Sequence, residues 1–158
     1  DKYSGCKRFF SCSLDAEQRA FLGEMNKQQI IFEAETSCAV LAYLVWTEEL
    51  NLRNSFLYVD NEGTKFCLMK GTSDNLTVDA ICAVFSEFEV AIQANCWLAR
   101  VASFSNVADK PSRGDIKNLV DSGFLNDSTK ALQKVIQLLA FTKEKLGRRA
   151  ECIVATPS

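Results

Sequence analysis

The sequence predicts an α/β domain in which a mixed sheet is flanked by helices, and three observations lead to this prediction. A short apolar run at residues 56–59 has the length of a buried strand and is bounded by polar residues. A second strand pattern lies at residues 97–103. Amphipathic helical patterns separate and follow these strands, and this alternation is typical of α/β folds.

The composition is that of an ordinary globular domain of 158 residues, with 47% hydrophobic and 24% charged residues. The net charge of −2 means that no overall basic field attracts nucleic acid. No apolar run approaches the length of a membrane span, and no signal peptide is visible. We therefore expect one domain over residues 1–158, without repeats or linkers.

Seven cysteines and no histidine limit the chemistry. The cysteine count is odd, no C-x-x-C pair occurs, and several cysteines lie in apolar helical patterns. We expect reduced thiols and hence an intracellular protein. The absence of histidine excludes Ser-His and Cys-His nucleophiles and histidine-ligated zinc. Carboxylates, Lys, Tyr or Cys are left to carry any reaction.

The run at residues 56–59 predicts a strand that is covered on both faces, and it ends at Asp60. Ligands of open α/β sheets bind at the carboxyl ends of the strands, so Asp60 is a candidate site residue. The alternative is that Asp60 only caps the next helix, predicted at residues 65–69.

Four further helices and an opening strand complete the predicted fold. The opening strand covers residues 7–13, and a helix at residues 14–22 has Asp15 as its possible cap and Gly23 at its end. The other three helices lie at residues 30–50, 77–94 and 128–146. Their predicted apolar positions are Ala34, Cys38, Leu41, Ala42, Val45 and Trp46; then Ile81, Phe85, Phe88 and Ile92; then Leu132, Val135, Ile136, Leu139 and Leu146. The basic end of the last helix is expected to complement the helix dipole.

Three acids stand at the ends of predicted elements: Glu35 in the first turn of a helix, Asp60 after a strand and Asp109 in a loop after another strand. Converging carboxylates suit Mg²⁺ or Mn²⁺. For Glu35, the alternative is a favourable interaction with the helix N-terminus alone, as for Glu33.

Three motifs make the chain resemble the ribonuclease H-like domain of retroelement reverse transcriptases. They are EAET at residues 33–36, YVDNE at residues 58–62 leading to LMKG at residues 68–71, and WLARVAS at residues 97–103 followed by SNVADKPSRG at residues 105–114. The resemblance covers residues 1–123, and residues 124–158 are predicted to form a C-terminal helical extension.

This resemblance implies that Glu35, Asp60 and Asp109 are catalytic residues and ligands of Mg²⁺ or Mn²⁺, with Asn61 and Ser105 as possible further contacts. The implied reaction is metal-dependent hydrolysis of RNA in RNA–DNA hybrids. The family carries its first catalytic aspartate on a strand that precedes, in the family's sheet, the one predicted here at residues 7–13. Asp1 instead lies in a turn that resembles the following hairpin, so we expect that strand and its aspartate to be missing. The histidine that the family often carries near its site is absent.

Two functions therefore compete at this point. One is a metal-dependent endonuclease acting on RNA–DNA hybrids. The other is a catalytically inactive, retroelement-derived domain that serves as a structural or interaction subunit among protein partners in a larger assembly.

Overall fold

The computed structural model describes residues 5–23 and 30–154, with side chains through residue 149. The helices of four or more residues are α1 (Ala16–Gly23), α2 (Ile31–Val45), α3 (Thr47–Leu50), α4 (Glu62–Lys70), α5 (Leu76–Ala91), α6 (Asp109–Ser112), α7 (Lys117–Asp121) and α8 (Ser128–Val154). The strands are β1 (Arg8–Phe9), β2 (Asn54–Val59), β3 (Asn95–Arg100) and β4 (Leu125–Asn126). The predicted α/β class is confirmed.

The described strands form two separate parallel pairs, β1 with β4 and β2 with β3. In the longer pair, Phe56 lies opposite Trp97 and Val59 lies opposite Arg100. A mixed sheet was predicted, but every pairing among the described residues is parallel. The predicted strand at residues 7–13 shortens to the two residues of β1.

The prediction that β2 is covered on both faces is wrong. Phe56 and Tyr58 are 69% and 61% exposed, whereas Leu57 and Val59 pack against the helical core. Successive side chains of a strand point to opposite faces, and the helices cover only one face of this pair. An apolar run of four residues does not reveal whether the second face is covered.

The core lies between α2, α5 and α8. Leu44 and Val45 of α2 and Ile81 of α5 are fully buried, and Phe85 is nearly so. The predicted stripe of α5 is thus confirmed at these two positions and at Ile92. Phe88 is half-buried and packs against Phe141 of α8, with 6.3 Å between the ring centroids.

Two helices match their predicted apolar faces only in part. In α2, Leu41 and Val45 are buried as predicted, but Cys38 is exposed. In α8, Val135 is buried as predicted, but Leu132 and Ile136 are exposed, and the buried stripe is Ala131, Val135, Leu138 and Thr142. This stripe follows the i, i+4, i+7 spacing, and its small first residue lets α8 approach its neighbours.

The six described cysteines are free thiols.

Charged and polar groups fix the ends of the helices. Asp15 caps α1 as predicted, because its Oδ1 accepts from the Gln18 N–H at 2.8 Å. At the basic end of α8, Lys145 pairs with Glu87, and Arg149 pairs with the buried Asp79. These side chains thus join α8 to α5 by ion pairs, in addition to any effect on the helix dipole.

Two polar contacts join the β2–β3 pair to the helices beneath it. The Tyr43 hydroxyl lies 2.5 Å from Ser55 Oγ, and the Glu89 carboxylate accepts from the Cys96 N–H at 2.9 Å. Burial raises the pKa of both Tyr43 and Glu89. For Glu89, the hydrogen bond from Cys96 opposes this shift without cancelling it.

Replacing the buried Phe85 by alanine should lower the free energy of unfolding by about 3–5 kcal/mol, because it removes a ring from a closed core. The matched control is Phe56→Ala on the exposed sheet face, which should change that free energy by about 0.5 kcal/mol or less in the isolated monomer. Urea unfolding of both variants measures the difference. Equal losses would contradict the assignment of the core.

The raised pKa of Glu89 predicts a pH-dependent effect of Glu89→Gln. A carboxyl group whose folded pKa is raised adds stability below its unfolded pKa and loses that contribution as pH rises through the folded value. The variant does not titrate, so its stability relative to the wild type should increase as pH rises from about 4 upward. Urea midpoints at several pH values measure this, and a pH-independent difference would contradict it.

Candidate functional site

Asp60 lies directly after β2, at the carboxyl end of the parallel pair. The β2–β3 ladder reaches the residue before it, since the Val101 N–H donates to the Val59 carbonyl oxygen at 2.9 Å. Asp60 does not cap the next helix. The cap of α4 is Asn61, whose Oδ1 accepts from the Thr64 N–H at 3.1 Å. The capping alternative considered for Asp60 is therefore wrong, and its carboxylate is available for other contacts.

Asn61 also reaches Glu35. Its Nδ2 donates to Glu35 Oε2 at 2.5 Å, while its Oδ1 caps α4. Glu35 is the fifth residue of α2 and so lies just beyond the first turn in which it was predicted. The neighbouring Glu33 has a different role: it is buried, and it accepts from Nδ2 of Asn75, the cap of α5, at 2.7 Å.

A close contact between α2 and α4 holds Glu35 and Asn61 together. Thr36 and Thr64 are both buried, and their hydroxyl oxygens are 3.0 Å apart. Thr36 donates its single proton to the Phe32 carbonyl oxygen at 2.8 Å, so Thr64 is the donor between the two hydroxyls. A Cβ at Gly63 would lie 3.1 Å from Asn61 Oδ1 and 3.2 Å from the Phe32 ring, so a larger residue here would require these neighbours to shift slightly.

Asp60 is joined to the loop after β3. Asn106 Nδ2 donates to Asp60 Oδ2 at 2.9 Å, and the Asn106 carbonyl oxygen accepts from the Asp109 N–H at 3.1 Å. Asp109 begins the short helix α6, and its Oδ1 is 3.0 Å from Arg113 of the same loop. The Asp60 carboxylate and the Asp109 backbone thus both contact Asn106.

The three predicted acids are therefore connected through two asparagines. Asn61 follows Asp60 and contacts Glu35, and Asn106 contacts Asp60 and precedes Asp109 by three residues. The carboxylate oxygens of these acids are the type of ligand that Mg²⁺ and Mn²⁺ prefer. In arrangement they do not complete a metal centre: within residues 5–23 and 30–154, no three His, Cys, Asp or Glu side chains are grouped so that they could hold an ion.

The sequence identified Asn61 as a contact but missed Asn106. An asparagine next to a candidate aspartate in a strand-end loop is the signal that would have found it, since such side chains bond to nearby polar groups. Ser105 is exposed, and its N–H donates to the Ala102 carbonyl oxygen at 2.8 Å. Asp1 lies outside the described residues.

Comparison with protein-family models, with curated proteins and with solved structures finds no significant match. Among the residues that the structure describes, no helix combines the length and apolar character needed to cross a bilayer.

Asn61→Asp should destabilise the protein at neutral pH. Aspartate retains the cap of α4, but it replaces the amide donor to Glu35 by a second carboxylate. We expect a loss of about 1–3 kcal/mol, which should shrink as pH falls through about 4 and one carboxyl group becomes a donor. Asn61→Ser keeps a capping oxygen without adding charge and should cost less. Thermal unfolding at several pH values measures both, and wild-type stability of Asn61→Asp at pH 7 would contradict the contact.

Proposed function

We propose that this chain is a ribonuclease H-like domain of the retroelement type, and that the edge carrying Glu35, Asp60 and Asp109 is its site for hydrolysis of RNA in RNA–DNA hybrids. The observation that carries the proposal is the connection of the three acid-bearing segments through Asn61 and Asn106. These segments are the ones that carry the family-like motifs. Fold class alone does not support an activity, so the proposal depends on this site.

The proposed substrate contacts are cationic side chains at the same edge. Arg100 ends β3 opposite Val59, and Lys110 and Arg113 lie in the loop that carries Asp109. All three are exposed. Lysine and arginine bind the phosphates of nucleic acids, and a hybrid is recognised by its shape and its 2′-hydroxyl groups. This local group of cations offers a binding surface even though the chain is slightly acidic overall.

A divalent metal, when bound, would neutralise developing charge on the phosphate and activate water. The resemblance implies Glu35, Asp60 and Asp109 as its ligands, but as placed in this structure they do not form a group that could hold an ion. Each has a side-chain donor instead: Asn61, Asn106 and Arg113 respectively. A metal must replace or share these contacts. The family resemblance implies four acids, of which three are matched here, so we expect slow hydrolysis by this chain.

The second candidate is an inactive domain that serves as an interaction subunit. Two observations favour it: the lack of a metal-holding group of acids among the described residues, and the exposed aromatic face of the β2–β3 pair. Exposed apolar patches commonly mark protein interaction surfaces.

A cleavage assay separates the two functions. The purified chain is incubated with Mg²⁺ or Mn²⁺ and either an RNA–DNA hybrid or single-stranded RNA of the same sequence. We expect slow cleavage of the hybrid only. Asp60→Asn should abolish it, because an amide replaces the charged ligand while the strand and the cap of α4 remain. Ile136→Ala, at an exposed position of α8 outside the proposed site, should leave the rate unchanged.

Cleavage that persists equally in Asp60→Asn would refute the proposed site. The absence of hybrid cleavage by the wild type, under conditions in which circular dichroism shows a folded chain, would favour the interaction subunit.

A further inference from the structure

One face and one edge of the β2–β3 pair lack a partner in the described part of the chain. Phe56, Tyr58 and Trp97 stand on the outer face, and Trp97 is 72% exposed. Within the described residues, β2 pairs with β3 alone, so its other edge carries no strand. Leu57 and Val59 point towards the core yet are only half-buried, which agrees with an open edge.

The strand β2 itself carries none of the sequence features that usually protect an unpaired edge. Natural edge strands carry lysine, proline or a bulge, or are very short. The strand reads NSFLYV over six residues, without a charge, a proline or a glycine. It is therefore able to pair with another strand.

The backbone shows which residues face this edge. The carbonyl groups of Arg53 and Val59 accept from Asn95 and Val101, on the side of β3. Because hydrogen-bonding direction alternates along a strand, the N–H and C=O groups of Asn54, Phe56 and Tyr58 face the other way. These are the groups that a neighbouring strand would bind.

We propose that β2 pairs antiparallel with β2 of a second copy of this chain, around a two-fold axis at Leu57. This makes a four-stranded sheet from two copies. The inference goes beyond the hydrolytic function and does not rest on it, although the pairing also engages Asp60, which the proposed hydrolytic site uses. Two-fold dimers with the same patch on both subunits are the commonest assemblies of identical chains.

The register of this pairing is complementary. With Leu57 on the axis, Phe56 opposes Tyr58 of the second copy, and Asn54 opposes its Asp60. The first is an aromatic pair on the exposed face. In the second, Asn54 Oδ1 and Asp60 Oδ2 already have partners, so the Asn54 Nδ2 group can donate to Asp60 Oδ1 across the interface. No two like charges oppose each other between positions 54 and 60.

Sedimentation velocity over a wide range of protein concentration tests the proposal. The wild-type chain should show a concentration-dependent dimer. F56K/Y58K should associate at least about tenfold more weakly, because two lysine pairs then oppose each other across the axis. F56K/Y58E has the same number of substitutions at the same positions but opposes lysine to glutamate, and it should dimerise much better than F56K/Y58K.

Trp97→Lys is the control for the position of the interface. It adds a charge to the same exposed face, but Trp97 lies on β3, beside Phe56 and one strand away from the second copy. Dimerisation should therefore weaken far less than in F56K/Y58K. Circular dichroism establishes that each variant is folded. A monomeric wild type at all concentrations would overturn the proposal without affecting the hydrolysis assay. Equal dimerisation of F56K/Y58K and F56K/Y58E would also overturn it, as would loss of the dimer in Trp97→Lys alone.

Discussion

The placement of helix α2 is the constraint on which the rest of the structure depends. Its buried surface includes both apolar side chains and polar groups that need particular partners. Glu33 accepts from the cap of α5, and Thr36 meets the hydroxyl of Thr64 on α4. A shift of α2 by one turn would separate Glu33 from Asn75 and would leave the buried Thr64 hydroxyl without its acceptor, and unpaired buried polar groups are costly. The apolar contacts stabilise the core, whereas the polar contacts select one register for α2.

The elements governed by local signals were predictable. The Asp15 cap, the stripe of α5 at Ile81 and Phe85, and the strands around Phe56 and Leu98 follow from periodicity and capping chemistry. The errors arose where a pattern allows more than one partner. Helix α8 has apolar residues on two neighbouring stripes, and only the packing against α2 and α5 decides that Val135 is buried and Ile136 exposed. The strand at Phe56 is equally apolar on both faces, so its sequence cannot show which face the helices cover.

The candidate site was predictable in its acids but not in its connections. Glu35, Asp60 and Asp109 stand out only through the three motifs that resemble the ribonuclease H-like family, because acids at the ends of helices and strands are common. The asparagines that connect them belong to different segments, and hydrogen bonds between residues 26 and 46 positions apart depend on the folded arrangement. An amide can donate to one group and accept from another, so it joins two carboxylate-bearing segments without the repulsion that a further acid would add.

The double role of Asn61 limits how this part of the molecule can evolve. Because one side chain both begins α4 and holds Glu35, a substitution selected for a better helix start also alters the charge environment of the acid. Changes at positions 35, 61 and 64 should therefore be non-additive, and each should be accepted or rejected according to the residues at the other two. Substitutions at the edge of the sheet and at the start of α4 should therefore be selected together, although these two parts belong to separate elements of secondary structure.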